Sequence, residues 1–207
     1  MNNRNIPKIV IDRLPWYLQT LNQMAREGLS IVSSLVLAER LDITPAQIRK
    51  DLSYFGEFGK QGSGYPVFHL MDELQTILNI NHIWQVAIVG VGGLGHALLN
   101  YHGFARHGFE TILAFDNHPN VIGKQVAHLV VQDITHLEDQ LRKKAIKIGI
   151  LTVPARQAQI MAERLVSGGV LAILNYAPIT LHLPPDIQVQ SMDPVQSLQR
   201  MTYFLPR

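Results

Sequence analysis

Residues 86–101 read VAIVGVGGLGHALLNY: an apolar strand-length run, a glycine-punctuated turn and the opening of a helix. The glycines at 90, 92 and 95 are spaced G-x-G-x-x-G, and few short patterns restrict a fold as tightly. The first glycine permits a tight turn out of the strand, the second lets backbone approach a pyrophosphate, and the third lets helix and strand pack closely. Along Gly90, Val91, Gly92, Gly93, Leu94 and Gly95 the unpaired N–H groups and the positive helix end then face the phosphates. Asp116 closes the next strand-like run, about twenty residues on, where a carboxylate accepts from ribose hydroxyls and repels a 2′-phosphate. The pattern predicts a dinucleotide loop that prefers NAD(H) to NADP(H).

Around that loop the chain has two characters. From about residue 80 onward, short apolar runs (VAIVG, ILAFD, HLVVQ, IGILTVP and LAILNYAP) alternate with helix-length segments, which predicts βαβ units and a parallel sheet. These runs lack polar alternation, as strands covered on both faces do. Earlier in the chain apolar residues recur at helical spacing, at Leu14, Leu18, Leu21 and Ala25 and again at Leu35, Ala38 and Leu41. LNINHIW, residues 78–84, is a short joint between the two. The final DPVQSLQRMTYFL predicts an amphipathic helix with Val195, Leu198, Met201 and Phe204 or Leu205 on one side. It follows the end of the sheet pattern and needs something else to pack against.

A chain of 207 residues suffices for two cores, and 47% hydrophobic against 16% charged residues is a folding composition. The absence of cysteine excludes disulfides, thiolate metal sites and a cysteine nucleophile. Pro7, Asp12, Arg13 and Pro15 interrupt the first stretch, so neither a signal peptide nor a membrane span is expected, and a cytoplasmic location is. Net charge is only +2, and residues 1–84 carry eight Lys/Arg against eight Asp/Glu. Any contact with nucleic acid must therefore come from a local cluster. A dehydrogenase would need a proton donor or acceptor by the nicotinamide. His96 follows the last motif glycine and reads as a helix-start residue; the other histidines after the loop have no paired acid at telling spacing. No Ser-x-x-x-Lys pair or His-x-x-x-His metal spacing occurs. Catalytic and metal residues are therefore expected to be absent.

Residues 33–67 account for the segment before the loop. Ser33 or Ser34 N-caps a short helix running to Leu41, DIT is a turn, and Thr44 caps a second helix with Pro45 at its first position. Two short helices on a tight turn make a helix-turn-helix. Its second helix exposes Gln47, Arg49, Lys50 and Ser53, types that reach base edges and phosphates, while Ile48 and Leu52 face the core. GKQGSGYPV, with glycines at 59, 62 and 64 around Lys60 and Gln61, is a hairpin tip, the wing of a winged helix. These residues leave open a DNA-binding protein, a small helical domain with a solvated face, and a small NAD-dependent oxidoreductase with an accessory domain.

QIRKDLSYFGEFGKQGSGY, followed by VGVGGLG, LTVPARQAQ and LNYAP, strongly resembles the Rex family of redox-sensing transcriptional repressors, nearly end to end. The resemblance implies an α/β chain. A winged helix-turn-helix DNA-binding domain over residues 1–80 precedes a Rossmann-like parallel-sheet domain for NADH or NAD⁺ over 81–192. A C-terminal helix over 193–207 is swapped with the partner of a homodimer. It implies repression from an inverted-repeat operator in double-stranded DNA, relieved when NADH favours a closed dimer. Matched residue by residue, the DNA contacts are Ser33, Ser34, Gln47, Arg49, Lys50, Ser53 and Tyr54, with Lys60 and Gly62 at the wing. The cofactor contacts are the glycine loop, Asp116, Val153, Pro154 and Asn175, with Tyr101 and Asp193 as a nicotinamide-linked pair across the dimer. TVP and NYAP line the nicotinamide side. Three positions depart from the family pattern: Gln61 where the wing commonly has arginine, Gln19 where an arginine joins the Tyr–Asp pair, and Pro194 where an aromatic residue often follows the aspartate. These departures leave a DNA-binding dimer with a structural or weakly discriminating nucleotide as the alternative reading.

Overall fold

The computed structural model describes residues 6–59 and 63–206, which fall into two compact units, Met1–His82 and Ile83–Arg207.

The first unit opens with α1, Lys8–Arg26, which buries Val10, Leu14, Tyr17, Leu18, Leu21 and Met24. Pro15 lies inside that helix, so the proline that breaks a membrane-span reading leaves a soluble-type amphipathic helix intact at the loss of one N–H donor. There follow β1 (Ile31–Val32), α2 (Ser34–Leu41), α3 (Pro45–Ser53), β2 (Tyr65–Pro66) and α4 (Val67–Ile77). The expected caps form: Ser33 accepts from Val36 N–H and Thr44 from Gln47 N–H. Asp42, at φ 52°, makes the left-handed turn between α2 and α3. α2 buries Leu37 and Ala38 and leaves Leu35 exposed. This corrects the expected register: Leu37 and Leu41, four apart, form the inward stripe, and Leu35 lies on the far flank. β1 and β2 pair antiparallel, Ile31 opposite Pro66 and Val32 opposite Tyr65. They form the base of the expected wing, and Lys60, Gln61 and Gly62 lie outside the described residues. At that base the backbones nearly touch, since a Cβ on Gly64 would sit 2.8 Å from the Val32 carbonyl oxygen.

The second unit is built on a parallel sheet in the order β10-β9-β8-β3-β4-β7. Its elements in chain order are β3 (Trp84–Val89), α5 (Gly93–Leu99), α6 (Gly103–Arg106), β4 (Phe109–Asp116), β5 (Gln125–Val126), β6 (Leu129–Val130) and β7 (Gln132–Asp133). Then come α7 (Leu137–Lys143), β8 (Ile148–Leu151), α8 (Ala155–Ser167), β9 (Ala172–Asn175), β10 (Gln188–Ser191) and α9 (Pro194–Thr202). β3 lies between β4 and β8, so strand order reverses there, and the crevice beyond the carboxyl ends at such a switch is where ligands bind. HLVVQ is not one strand: Leu129–Val130 pairs with β5 in a separate antiparallel ribbon, and only Gln132–Asp133 joins the sheet. Backbone bonds Gly123 N–H to Val131 O and Val131 N–H to Lys124 O fold this ribbon back on itself. β10, a QVQS run of which only Val189 packs against the core, has no apolar pattern and was not expected. No residue of α9 is buried, and Val195, Leu198 and Met201 are all exposed. Among the described residues no helix is long and apolar enough to cross a membrane.

Candidate functional site

At the carboxyl end of β3 the chain turns through Gly90 at φ +94°. A Cβ there would lie 2.8 Å from the Thr152 carbonyl oxygen, and one on Gly95 would lie 2.0 Å from the Gly90 carbonyl oxygen. Both glycines are therefore demanded by backbone packed against backbone. Gly92 and Gly93 differ: a Cβ on either would meet no protein atom within 4 Å. The open space before them is what a closely approaching ligand would fill. The Thr152 hydroxyl donates to Gly90 O at 2.6 Å and fixes the turn from the β8 side.

A cavity of about 690 Å³ opens beside this turn, between Gly90 and Gly92, Asp116 to His118, Thr152 to Pro154, and Arg156, Ile160 and Met161 of α8. Asp116 accepts from Val91 N–H at 2.6 Å through one carboxylate oxygen and from His118 N–H at 2.8 Å through the other. Each oxygen keeps a lone pair for a further donor. Val153 and Pro154 line the same cavity as Asp116. The geometry thus groups TVP with the ribose acid, whereas the resemblance placed it with NYAP on the nicotinamide side.

Asn175 is fully buried, and its amide donates to the carbonyls of Ala177 and Ile179 and accepts from Ala177 N–H. Those bonds use the side chain to hold the turn after β9, which replaces the expected ligand contact with a scaffolding role. Burial pushes the Tyr176 hydroxyl upward in pKa, and the neighbouring Tyr101 adds to the shift. Asp193 caps α9, accepting from Val195 N–H at 2.9 Å.

In the first unit, Arg49, Lys50 and Ser53 are on the exposed face of α3. The Arg49 guanidinium donates to Ser34 Oγ at 2.9 Å, so the start of α2 and the middle of α3 present one polar surface. Ser53 donates back to its own helix at Lys50 O, 2.7 Å away, leaving its oxygen free only to accept. Ser33, Ser34, Arg49, Ser53, Glu57 and Tyr65 are among the residues lining a concavity of about 850 Å³ between α3 and the wing base. Tyr54, half-buried, closes the helix.

Residues 81–179 match the family described as "CoA binding domain", and residues 5–53 match "Putative DNA-binding protein N-terminus". The redox-sensing transcriptional repressor Rex of Chloroflexus aurantiacus is 49% identical over 201 residues, 97% of this chain and 95% of that protein. The Rex of Carboxydothermus hydrogenoformans is 42% identical over 207 residues, 100% of each chain. The chain belongs to the Rex family. Two solved structures of a Rex-family repressor, RSP, are similar in fold. The complex with β-NAD⁺ and operator DNA has a TM-score of 0.92 at 37% identity, covering 96% of this chain and 91% of that one. The complex with β-NADH has a TM-score of 0.89 at 34% identity, covering 97% and 94%.

A further predicted site residue of this Rex-family chain is, like Asn175, corrected by its surroundings. Gln47 is half-buried, and its amide donates to Asp51 Oδ1 at 2.6 Å in place of facing outward from α3. Asp51 is wholly buried and was not singled out in the sequence. It also accepts two bonds from Arg13, at 2.6 and 2.8 Å, and one from the Tyr17 hydroxyl at 2.5 Å. This network ties α3 to α1. The available signal was the place of Asp51 between Ile48 and Leu52, on the apolar face of its helix. Arg156 and Ile160, which line the cavity beside Asp116, were likewise missed.

Proposed function

We propose that this chain is a transcriptional repressor that binds palindromic operator DNA as a homodimer and is released when the NADH/NAD⁺ ratio rises. The observation that carries the reading is the pairing, in one chain, of an exposed Arg49–Lys50 helix face with a glycine loop whose Gly92 is bare toward a cavity. The relatives named above are repressors, and nothing in the reading calls for catalysis. Backbone N–H groups from Gly92 to Gly95 would hold a pyrophosphate, since Gly90 N–H is spent on Phe115 O and Val91 N–H on Asp116, and Asp116 would accept from the adenosine ribose. The adenosine diphosphate portion common to CoA and NAD(H) fits a family described by the former. When bound, the reduced nucleotide supplies a preference for a dimer in which two reading helices no longer span both half-sites. Tyr101 of one protomer and Asp193 of its partner would sense it, and α9, with its apolar face uncovered in the single chain, would lie against the partner.

The test is a gel shift on an inverted-repeat operator, titrated with NADH over a fixed NAD⁺ background. Each tenfold loss of operator affinity requires about 1.4 kcal/mol of preference of NADH for the closed state. Release is expected with NADH, and NADPH should need at least about tenfold more, because Asp116 would face its 2′-phosphate. Equal release by both would remove that role from Asp116. Release by neither, with operator binding intact, would select the alternative in which Gln19 and Pro194 accompany a structural nucleotide.

Arg49→Ala should weaken operator binding by about 1–3 kcal/mol, the range for one base or phosphate anchor, and leave NADH affinity within twofold of the parent. Isotherms for DNA and NADH on the same preparation check this. Parallel loss of both would mean unfolding.

A further inference from the structure

Tyr101 and Gly103 share one volume. A Cβ built on Gly103 would fall 2.2 Å from two ring carbons of Tyr101 and 2.4 Å from its hydroxyl oxygen. Non-bonded carbons settle at about 3.5–4.0 Å, so the tyrosine ring occupies the place of a side chain at position 103. Phe104 forms the other wall, its ring edge-to-face with Tyr101 at 5.3 Å between centroids and 88° between planes. The backbone of Gly103 does not need glycine, because its φ lies outside the left-handed region. It occupies the first position of α6, where alanine would be the better helix former. The atoms that demand glycine here are those of Tyr101. The ring is 58% exposed, and among the described residues no hydrogen bond holds its hydroxyl. Packing on Gly103 and Phe104 therefore sets its orientation.

We infer that Gly103 is a positioning residue for the nucleotide response: its missing side chain is the seat that holds the Tyr101 ring and so fixes the poise of the switch. The inference rests on the reading of Tyr101 given under the proposed function. Gly103→Ala removes the seat and forces the ring into another rotamer, without asking the helix for an unfavourable residue.

The experiment uses the full-length dimer on operator DNA and reads the NADH concentration for half-release in the parent, Gly103→Ala, Tyr101→Phe and the double variant. Gly103→Ala should raise that concentration by about tenfold, with a thermal midpoint no lower than the parent's and with nucleotide-free operator affinity within twofold. The double variant should be no worse than Tyr101→Phe alone, because both changes act through one ring. Phe104→Leu, which removes the other wall without adding an atom at position 103, should shift the titration in the same direction. An unshifted Gly103→Ala beside a shifted Tyr101→Phe overturns the inference alone, as does additivity in the double variant. An unshifted Tyr101→Phe overturns the reading of Tyr101 on which it rests.

Discussion

Gly95→Ala is expected to lower NADH affinity by at least about a hundredfold and to cost the second unit about 2–3 kcal/mol. The new methyl would lie 2.0 Å from the carbonyl oxygen of Gly90 and 3.0 Å from both the Gly90 carbonyl carbon and the Thr152 hydroxyl. None of these neighbours can yield cheaply. Gly90 is held at φ +94° with its own Cα against Thr152, and Thr152 Oγ1 donates to Gly90 O at 2.6 Å. The first turn of α5 must therefore move away from β3 and carry the loop N–H groups with it. Gly92→Ala is the matched contrast. Its methyl meets no protein atom within 4 Å, so thermal stability should hold while nucleotide affinity falls. Calorimetric NADH titration and thermal melts of the two variants separate a fold requirement from a ligand requirement. Retention of parent-like NADH affinity by Gly95→Ala would mean that this loop is not the nucleotide cradle.

Legibility in the sequence followed the range of the interaction that decides each feature. Caps are local, so neighbours alone placed Thr44 and narrowed the first cap to Ser33 or Ser34; the structure selects Ser33, and it and Thr44 each accept the N–H three residues on. The glycine loop was equally plain, because strand, turn and helix follow one another without a break. HLVVQ misled because apolar composition does not say whether a strand's partner is a distant strand or the next ribbon. Here the local bonds around Gly123 and Val131 won. Gln47 misled for a related reason. A polar residue early in a reading helix looks solvent-facing until its partner four residues on proves to be a buried carboxylate. That carboxylate is explained by Arg13 and Tyr17, 38 and 34 residues away, a separation no local pattern reports. Asn175 repeats the lesson, since only the folded turn shows its amide consumed by Ala177 and Ile179.

Asp51→Ala is expected to destabilise the first unit by about 3–5 kcal/mol, the range for removing one partner of a buried ion pair. The loss is large because three donors are orphaned together: the Arg13 guanidinium, the Tyr17 hydroxyl, which is itself fully enclosed, and the Gln47 amide. Operator binding should disappear near physiological temperature while NADH affinity survives, since the two functions belong to different units. The carboxylate also predicts a pH dependence. Burial works to raise its pKa, but the hydrogen bonds from Arg13, Tyr17 and Gln47 outweigh it and leave the value below the ordinary aspartate range. A folded pKa below the unfolded value, about 3.9, means the contribution is fully present above pH ~4 and fades as pH falls through the folded pKa. The protein has two tryptophans, Trp16 on α1 and Trp84 on β3. In a Trp84→Phe background, Trp16 fluorescence therefore follows urea unfolding of the first unit alone. The midpoint of the parent should hold from pH 7 to about 5 and drop below about 4, whereas in Asp51→Asn it should start lower and lose that acid limb. An Asp51→Ala midpoint equal to the parent's would show that α3 is held to α1 by its apolar contacts alone, with Ile48 and Leu52 sufficient to fix its orientation.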